Sequence, residues 1–338
     1  MDFALSAEQR QFAASLHEML AAAGVAAAAR SWAAGDRKPG MEIWRSLADA
    51  GVTGLLIPAS LGGVAGSAVD LVVACQEIGH HAVPGPAAES VAAVPVLLAG
   101  LPAGEQDAWL GQLCTGELIA TLAAPPWLPM AADTDAAGLV LLATPDRVAV
   151  AEAGRTLRSV DAARTLATVR EVAGAGALDP AVLPLALEYG AIACAAQLLG
   201  AGRTLLAAAA EHARSRVQFG QPIGSFQAVK HHLADALIKL EFAEPLLFGA
   251  AVALQEHRRL SSPRDADFSR LRRDVSAAKV ACADAATLAA RTALQVHGAI
   301  GYTAEHDISL FLTRVQALAP AWGSQAQHRA RVLAAVSG

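Results

Sequence analysis

"RSRVQFGQPIGSFQAVKHHLADA", residues Arg214 to Ala236, decides how the chain is read. A basic turn of helix runs into an aromatic–glycine break at Phe219-Gly220, then Pro222, then a second helix with polar residues at its start. Val229, Leu233, Leu237 and Leu240 make one apolar stripe at helical spacing, so the stretch is a corner between two helices. Two arginines, Gln218 and Phe219 stand at that corner. Either Arg216 pairs with an acid and Phe219 fills core, or the corner grips a ligand. Arg216 carries a planar, permanently charged fork suited to a phosphate, Gln218 can add a hydrogen bond, and Phe219 offers an apolar face.

Working outward, helical periodicity holds from Pro180 to the end, interrupted by "LSSPRDADFS" (Leu260–Ser269), a loop before another long helix. Upstream, from Glu117 to about Val172, the texture changes to short β-leaning runs. "LIATLAA", "GLVLLAT", "RVAVAEA" and "TLATVREV" are separated by Pro, Gly and Asp. At the N-terminus Ser6-Ala-Glu-Gln9 reads as a capping box, followed by Phe12, Leu16, Met19 and Leu20 on one helical face, with helical pattern to about Ala50. A glycine- and proline-rich loop (Gly51–Leu71) ends where Asp70 can cap the next helix, "LVVACQEIGHHA", which stops at Gly79. His80-His81 tempts a metal reading, but adjacent helical residues point apart and no third ligand is in register. No internal repeat is visible. The expected fold is mainly α with a small β-domain: N-terminal helices over 1–117, a reduced β-domain over 118–175, and a C-terminal four-helix bundle over 176–338.

The chain has 338 residues, a net charge of −5 and a pI near 6.1, a balance that argues against sequence-independent nucleic-acid binding. Hydrophobic residues make 54% and aromatics only 4%, so alanine and leucine carry the apolar mass and favour helices. Cys75, Cys114, Cys194 and Cys282 lie far apart with no CxxC pair, which reads as buried thiols in a reducing cytoplasm. Met1–Leu20 carries Asp2, Glu8, Arg10 and Glu18, so it does not read as a secretory signal. Tyr189–Ala210 is long enough to span a bilayer, but its apolarity is mostly alanine and it holds Gln197 and Arg203; a buried helix of a soluble protein is the expectation.

A second unusual stretch, "QVHGAIGYTAEHDISLFLTRV" (Gln295–Val315), closes an Ala-rich helix with Gly298 and Gly301 and restarts at Thr303 near Glu305. The two stretches together, with the helix–β–helix order, resemble the acyl-CoA dehydrogenase family. Its Arg-x-x-Phe-Gly corner, running on into Pro-Ile-x-x-Phe-Gln and Leu-Ala-Asp, is met by Arg216, Phe219, Gly220, Pro222, Ile223, Phe226, Gln227, Leu233, Ala234 and Asp235. Its Gln-x-x-Gly-Gly-x-Gly turn is met by Gln295, Gly298, Ala299 and Gly301, with Ala299 in place of the second glycine. "GLLIPASLGG" and "SVDAARTL" (Ser159–Leu166) also fit. The resemblance implies an FAD enzyme that removes the α and β hydrogens of acyl-CoA thioesters. It also implies that Arg216, Gln218, Phe219, Gln295, Gly298 and Ala299 bind the diphosphate and adenosine half of an FAD held by a neighbouring subunit.

The departures matter as much. The family's Thr-Glu-Pro…Gly-Ser-Asp segment, which holds the flavin ring, falls at "IATLAAPPWLPMAADTD" (Ile119–Asp135), and its Trp-Ile-Thr/Ser segment has no counterpart. The family's catalytic glutamate, in a Tyr-Glu-Gly-Thr segment, falls at Trp322 of "AWGSQAQHR", and an indole accepts no proton. The alternative position on an earlier helix falls at Gly190; Glu188 is about 200° around the helix from it and faces away. Glu241 and Glu244 read as solvated helix charges. The expectation is a subunit with no catalytic residue of its own, partnered with a full-length acyl-CoA dehydrogenase subunit that supplies the acyl-CoA site, as in the hetero-oligomeric bacterial enzymes of steroid side-chain degradation. A self-sufficient enzyme with an unconventional base, or a homologue that binds no flavin, are the alternatives. Neither nucleic acid nor membrane is an expected partner.

Overall fold

The computed structural model describes residues 4–102, 104–259 and 265–337. Its first third is helical because apolar residues recur at helical spacing between well-marked starts. α1 (Ala7–Ala22) begins at Ser6, whose hydroxyl accepts from the Gln9 N–H at 3.2 Å, while the Gln9 side chain accepts from the Ser6 N–H at 3.1 Å. Leu16 and Leu20 are its buried residues. α2 (Val25–Ala33) and α3 (Lys38–Asp49) follow, so the helical pattern to Ala50 is three helices and not one. α4 (Ala68–His80) opens on a second capping box. Ser67 is the cap and Asp70 stands three residues in, accepting from the Ser67 N–H at 2.8 Å, so Asp70 supports the start and does not form it. A π-helical turn, Ala88–Ala93, runs into α5 (Val94–Ala99), and α6 (Glu105–Cys114) completes the layer.

Gly79 does not stop α4; it lies inside it. A Cβ there would come within 2.1 Å of the Gln197 carbonyl, and one on Gly200 within 2.0 Å of the Gln76 carbonyl. The paired glycines let α4 and α7 (Val182–Ser215) touch backbone to backbone, which fuses the N- and C-terminal helices into one apolar core. The histidines after Gly79 also differ from expectation. α1 brings His17 to that end of α4, within reach of both His80 and His81.

Between the helical parts lies a five-stranded sheet: β1 (Ala120–Ala123), β2 (Ala131–Ala132), β3 (Leu139–Thr144), β4 (Arg147–Arg158) and β5 (Thr165–Ala177), in the order β1-β3-β4-β5-β2. β1 runs parallel to β3 and the other pairs are antiparallel. Four strands match the β-leaning runs of the sequence; β2, only two residues long, carries no such signal.

α7 ends in a hairpin, β6 (Val217–Gln218) and β7 (Gln221–Pro222), before α8 (Gln227–Arg259). α9 (Asp265–His297) packs against α7, α8 and α11 (Gln325–Ser337), making the bundle, with α10 (Ile308–Leu318) alongside. The expected loop at Leu260–Ser269 shrinks from its far side, since α9 begins at Asp265; residues 260–264 lie outside the described residues. After α9 a 3₁₀ turn spans Gly298–Tyr302 and α10 begins only at Ile308, five residues beyond the expected restart at Thr303. α7 is long and apolar enough to cross a bilayer, and 78% of its apolar window is buried within the protein.

The apolar stripe of α8 is displaced from the sequence reading. Ala236, Leu240, Ala243 and Leu247 are its buried line, whereas Leu237 is half exposed beside Ile238, Phe242 and Leu246, themselves 47–72% exposed. A row of large apolar side chains on a helix is thus left facing outward.

Candidate functional site

The corner and the later glycine turn, about eighty residues apart in sequence, meet in space. His212, one turn before the end of α7, stacks on His297, the last residue of α9, with ring centroids 4.4 Å apart. His306 closes on His297 edge-on at 5.1 Å. Burial and the neighbouring positive groups hold the His212 ring below its ordinary pKa, so the stack joins the two turns without a pair of charged rings.

Beyond this hinge the chain offers polar groups outward. Arg216 is the C-cap of α7, exposed, and has no acid partner among the described residues. Phe219 and Gly220 form the two-residue turn of the hairpin with φ of 53° and 80°, the left-handed pair that a type I′ turn requires. Phenylalanine in that region is strained, yet the residue is 91% exposed, with its ring edge-on to Phe226 at a centroid distance of 6.2 Å. Gln218 is exposed and bonds only its neighbour's carbonyl, at 2.8 Å. Across the stack Gln295 and Ala299 are exposed, and Gly298, at φ 63°, has open space where a side chain would stand. The plainer alternative, an ion-paired Arg216 and a core Phe219, does not match this geometry.

The stretches corresponding to the family's ring-binding and catalytic segments also meet, but in the opposite sense: they are packed shut. Trp322 is 1% exposed and lies flat on Gly190; a Cβ on Gly190 would fall 2.1 Å from its Cζ3. The two positions that the resemblance sets against the family's glutamate are therefore in contact here, one as an indole and the other as the glycine that admits it. Trp127, from the Ile119–Asp135 stretch, packs its ring against the position of a Cβ on Gly323, 2.3 Å away, and edge-on to His328 at 5.4 Å. Arg331 stacks over the other face of Trp127 at 3.7 Å. His328 Nε2 meets the Trp322 carbonyl at 2.9 Å and its Nδ1 meets the Ser276 hydroxyl at 3.0 Å, which fixes the segment to α9.

What remains of a cleft is a cavity of about 10 Å³ bordered by Glu89, Asp133, Arg164, Gln197, Arg314 and Trp322, room for at most one water. Glu89, buried in the π-helical turn, escaped the sequence reading. Its signal is a lone acid in the apolar run "AAESVAAVPVLLA". Burial pushes its carboxyl above the ordinary range, with Arg164 pulling the other way. Asp133 is raised to about 6, again by burial, and its Oδ2 has no partner. Arg314 is not free to serve a ligand, since it is ion-paired to buried Asp161 and donates to the Val83 carbonyl at 2.8 Å. Glu188 is buried and bound by Arg331 at 3.0 Å and Arg272 at 3.7 Å, toward α9 and α11. Glu241 and Glu244 both engage Arg203, at 3.3 and 2.9 Å.

A three-part chain of this order, with a small mixed sheet between helical halves, has the acyl-CoA dehydrogenase fold. Residues 6–117 match the acyl-CoA dehydrogenase N-terminal domain and residues 181–337 the C-terminal domain. The chain is 32% identical over 292 residues to the acyl-CoA dehydrogenase IpdE2 of Mycobacterium tuberculosis, covering 85% of this chain and 84% of that protein. Among solved structures it superposes on the Tcur3481-Tcur3483 steroid ACAD G363A variant with a TM-score of 0.82 at 21% identity, over 98% of each chain. The ChsE4-ChsE5 complex from Mycobacterium tuberculosis gives 0.81 at 22% identity, over 100% of this chain and 99% of that one. The protein belongs to the acyl-CoA dehydrogenase family, whose members bind FAD.

Proposed function

We propose that this chain is the non-catalytic subunit of a hetero-oligomeric, FAD-dependent acyl-CoA dehydrogenase. The observation that carries it is the corner: an unpaired, exposed Arg216 beside a strained Phe219 that is 91% exposed. Charge, strain and apolar surface are kept there at a cost with no visible offset among the described residues. Arg216 and Gln218 would hold the diphosphate of an FAD seated in a full-length partner, Phe219 would cover its adenosine, and Gln295 with the backbone at Gly298 and Ala299 would close the grip. The diphosphate end of FAD fits these groups. The ring end does not fit within this chain, where about 10 Å³ remains. When bound, the flavin accepts the hydride that leaves the β carbon of the acyl-CoA; the residues here bind and orient its other half and exclude water. The outward row Leu237, Ile238, Phe242 and Leu246 on α8 supports association with a second chain. The three segments 1–117, 118–175 and 176–338 act as helical layer, reduced β-domain and association bundle. The four free cysteines suit the reducing cytoplasm. A steroid-derived acyl group is the substrate class that the similarity to the steroid ACAD favours.

Co-expression with a full-length acyl-CoA dehydrogenase subunit encoded beside it should give a yellow complex that oxidises acyl-CoA. The isolated chain should show no turnover. Arg216→Ala should leave the complex assembled while flavin retention falls about ten- to a hundredfold, as for loss of a charge-assisted bond. Turnover by the isolated chain on the order of 1 per second would defeat the proposal.

One observation favours a second reading. Glu89 is a buried carboxyl, raised above its ordinary range by that burial, beside Trp322, where a relocated base would stand if the cleft opened. Activity of the isolated chain that Glu89→Gln abolishes would select that reading.

A further inference from the structure

Outside the corner and the closed cleft, one cluster on the molecule has the composition of a metal centre. Glu77, His80 and His81 occupy positions i, i+3 and i+4 at the C-terminal end of α4, and α1 lays His17 over them. One nitrogen from each of the three histidines falls within 4.8 Å of the other two. His17 Nδ1 is 3.0 Å from Glu77 Oε2 and 3.3 Å from His81 Nε2, and His81 Nε2 is 3.8 Å from the same carboxylate oxygen. Tetrahedral zinc with bonds of about 2.1 Å holds adjacent donors about 3.4 Å apart, so three of the donors already stand near that spacing. His80, with its ring centroid 5.0 Å from those of His17 and His81, is the fourth donor.

We infer that His17, His80, His81 and Glu77 form a structural zinc site that clips α1 to the end of α4. The donor set, three imidazoles and one carboxylate, is borderline in softness and suits Zn²⁺ over the hard cations Mg²⁺ and Ca²⁺. Half of the site is held rigidly. Thr204 on α7 donates to the His80 carbonyl at 2.6 Å, and the Gly79 contact with Gln197 fixes the same turn. The other half, His17, lies on the more exposed α1, whose other polar tie to α4 is Gln9 Nε2 to Asp70 Oδ1 at 2.9 Å. The cation facing the cluster is Arg203 on α7, and its charge is offset by Glu241 and Glu244 on α8. A metal there would give stability through ligand linkage to a helix that otherwise rests on a few leucines. The inference does not depend on how the chain serves catalysis.

The test uses the untagged full chain, stripped of metal, titrated with ZnCl₂ by calorimetry and with Co²⁺ by absorption spectroscopy. The expected result is one Zn²⁺ per chain with Kd below about 10 μM, the intense visible bands of tetrahedral Co²⁺, and a melting temperature raised by roughly 2–5 °C. His17→Ala and His81→Ala should each weaken binding at least about a hundredfold, above the usual effect of losing an outer partner. The exposed pair His231 and His232 on α8 serves as control, and His231→Ala should change nothing. His17→Ala is the decisive variant, because its exposed side chain can be removed without loss of the fold, as circular dichroism will verify. Binding weaker than about 100 μM, or binding indifferent to His17 and His81, would show an adventitious ion only and overturn the site.

Discussion

The contact between Trp322 and Gly190 can be tested by a change that is favourable in almost any other helix. Gly190 lies inside α7, where glycine-to-alanine ordinarily gains about 1 kcal/mol of helix propensity. Here the added methyl would stand 2.1, 2.4 and 2.4 Å from three carbons of an indole that is itself 1% exposed and cannot swing away. Overpacking of that kind costs about 1–3 kcal/mol, and three such contacts place it toward the upper end. Gly190→Ala should therefore destabilise the chain by about 2 kcal/mol net. Trp322→Ala alone should cost about 3–5 kcal/mol through the cavity it leaves. In that background the methyl meets no indole, and Gly190→Ala should become stabilising by up to about 1 kcal/mol. The signature is a reversal of sign with a coupling energy of about 2–3 kcal/mol, read from urea-unfolding midpoints of the four proteins. If Gly190→Ala shifts the midpoint equally in both backgrounds, the indole does not lie on α7 and the cleft is not closed by it.

Three further outcomes follow from neighbouring features. Burial raises the Asp133 carboxyl from 3.8 to about 6, so the folded protein holds a proton that the unfolded chain has released, and stability falls as pH rises through that window. Asp133→Asn should flatten the fall between about pH 4 and pH 6 by up to about 3 kcal/mol, at 1.36 kcal/mol per unit; an unchanged slope would mean the carboxyl is not buried as described. Gly79→Ala should lower the melting temperature by a few degrees despite the better helix propensity, since its Cβ would meet the Gln197 carbonyl at 2.1 Å; a rise would show that α4 and α7 do not touch there. Phe219→Gly should stabilise the isolated chain by about 1 kcal/mol by relieving the left-handed strain, yet weaken flavin retention in the assembled complex; stabilisation of both would leave the ring without a role.

Signals that act within a few residues were legible in the sequence. The Ser6–Gln9 capping box forms as read, and the four β-leaning runs become strands, because caps and alternation are local. The Phe219-Gly220 break forms its hairpin turn for the same reason. What failed depended on long-range contact. Gly79 reads locally as a helix stop because nothing near it in sequence shows that its real neighbour is Gln197, more than a hundred residues on. The His80-His81 pair lacked a third ligand in its own register because the third, His17, lies on another helix. Leu237 sits on the expected stripe of α8 but faces outward, since a helix that meets two environments has two apolar lines and periodicity cannot say which is core. Glu89 went unread because a single acid in an apolar run has no motif around it.

Among the non-glycine residues with positive φ, the two aromatic ones differ in a way that bears on function. Trp322 and Phe219 both hold positive φ, 59° and 53°, a conformation that costs a bulky residue about 1–3 kcal/mol. Trp322 has its compensation inside the chain. Its indole is buried, and fully burying a large apolar side chain contributes about 1.5–3 kcal/mol or more. Its carbonyl is held by His328 at 2.9 Å. Phe219 has no such burial: the residue is 91% exposed, and its turn is closed by a hairpin of two residues a side. A strained residue with no compensation in its own chain is explicable if the compensation lies in another. The closed cleft is therefore a feature of this chain's own stability, while the open corner is the part of the fold that the proposed partner subunit would cover.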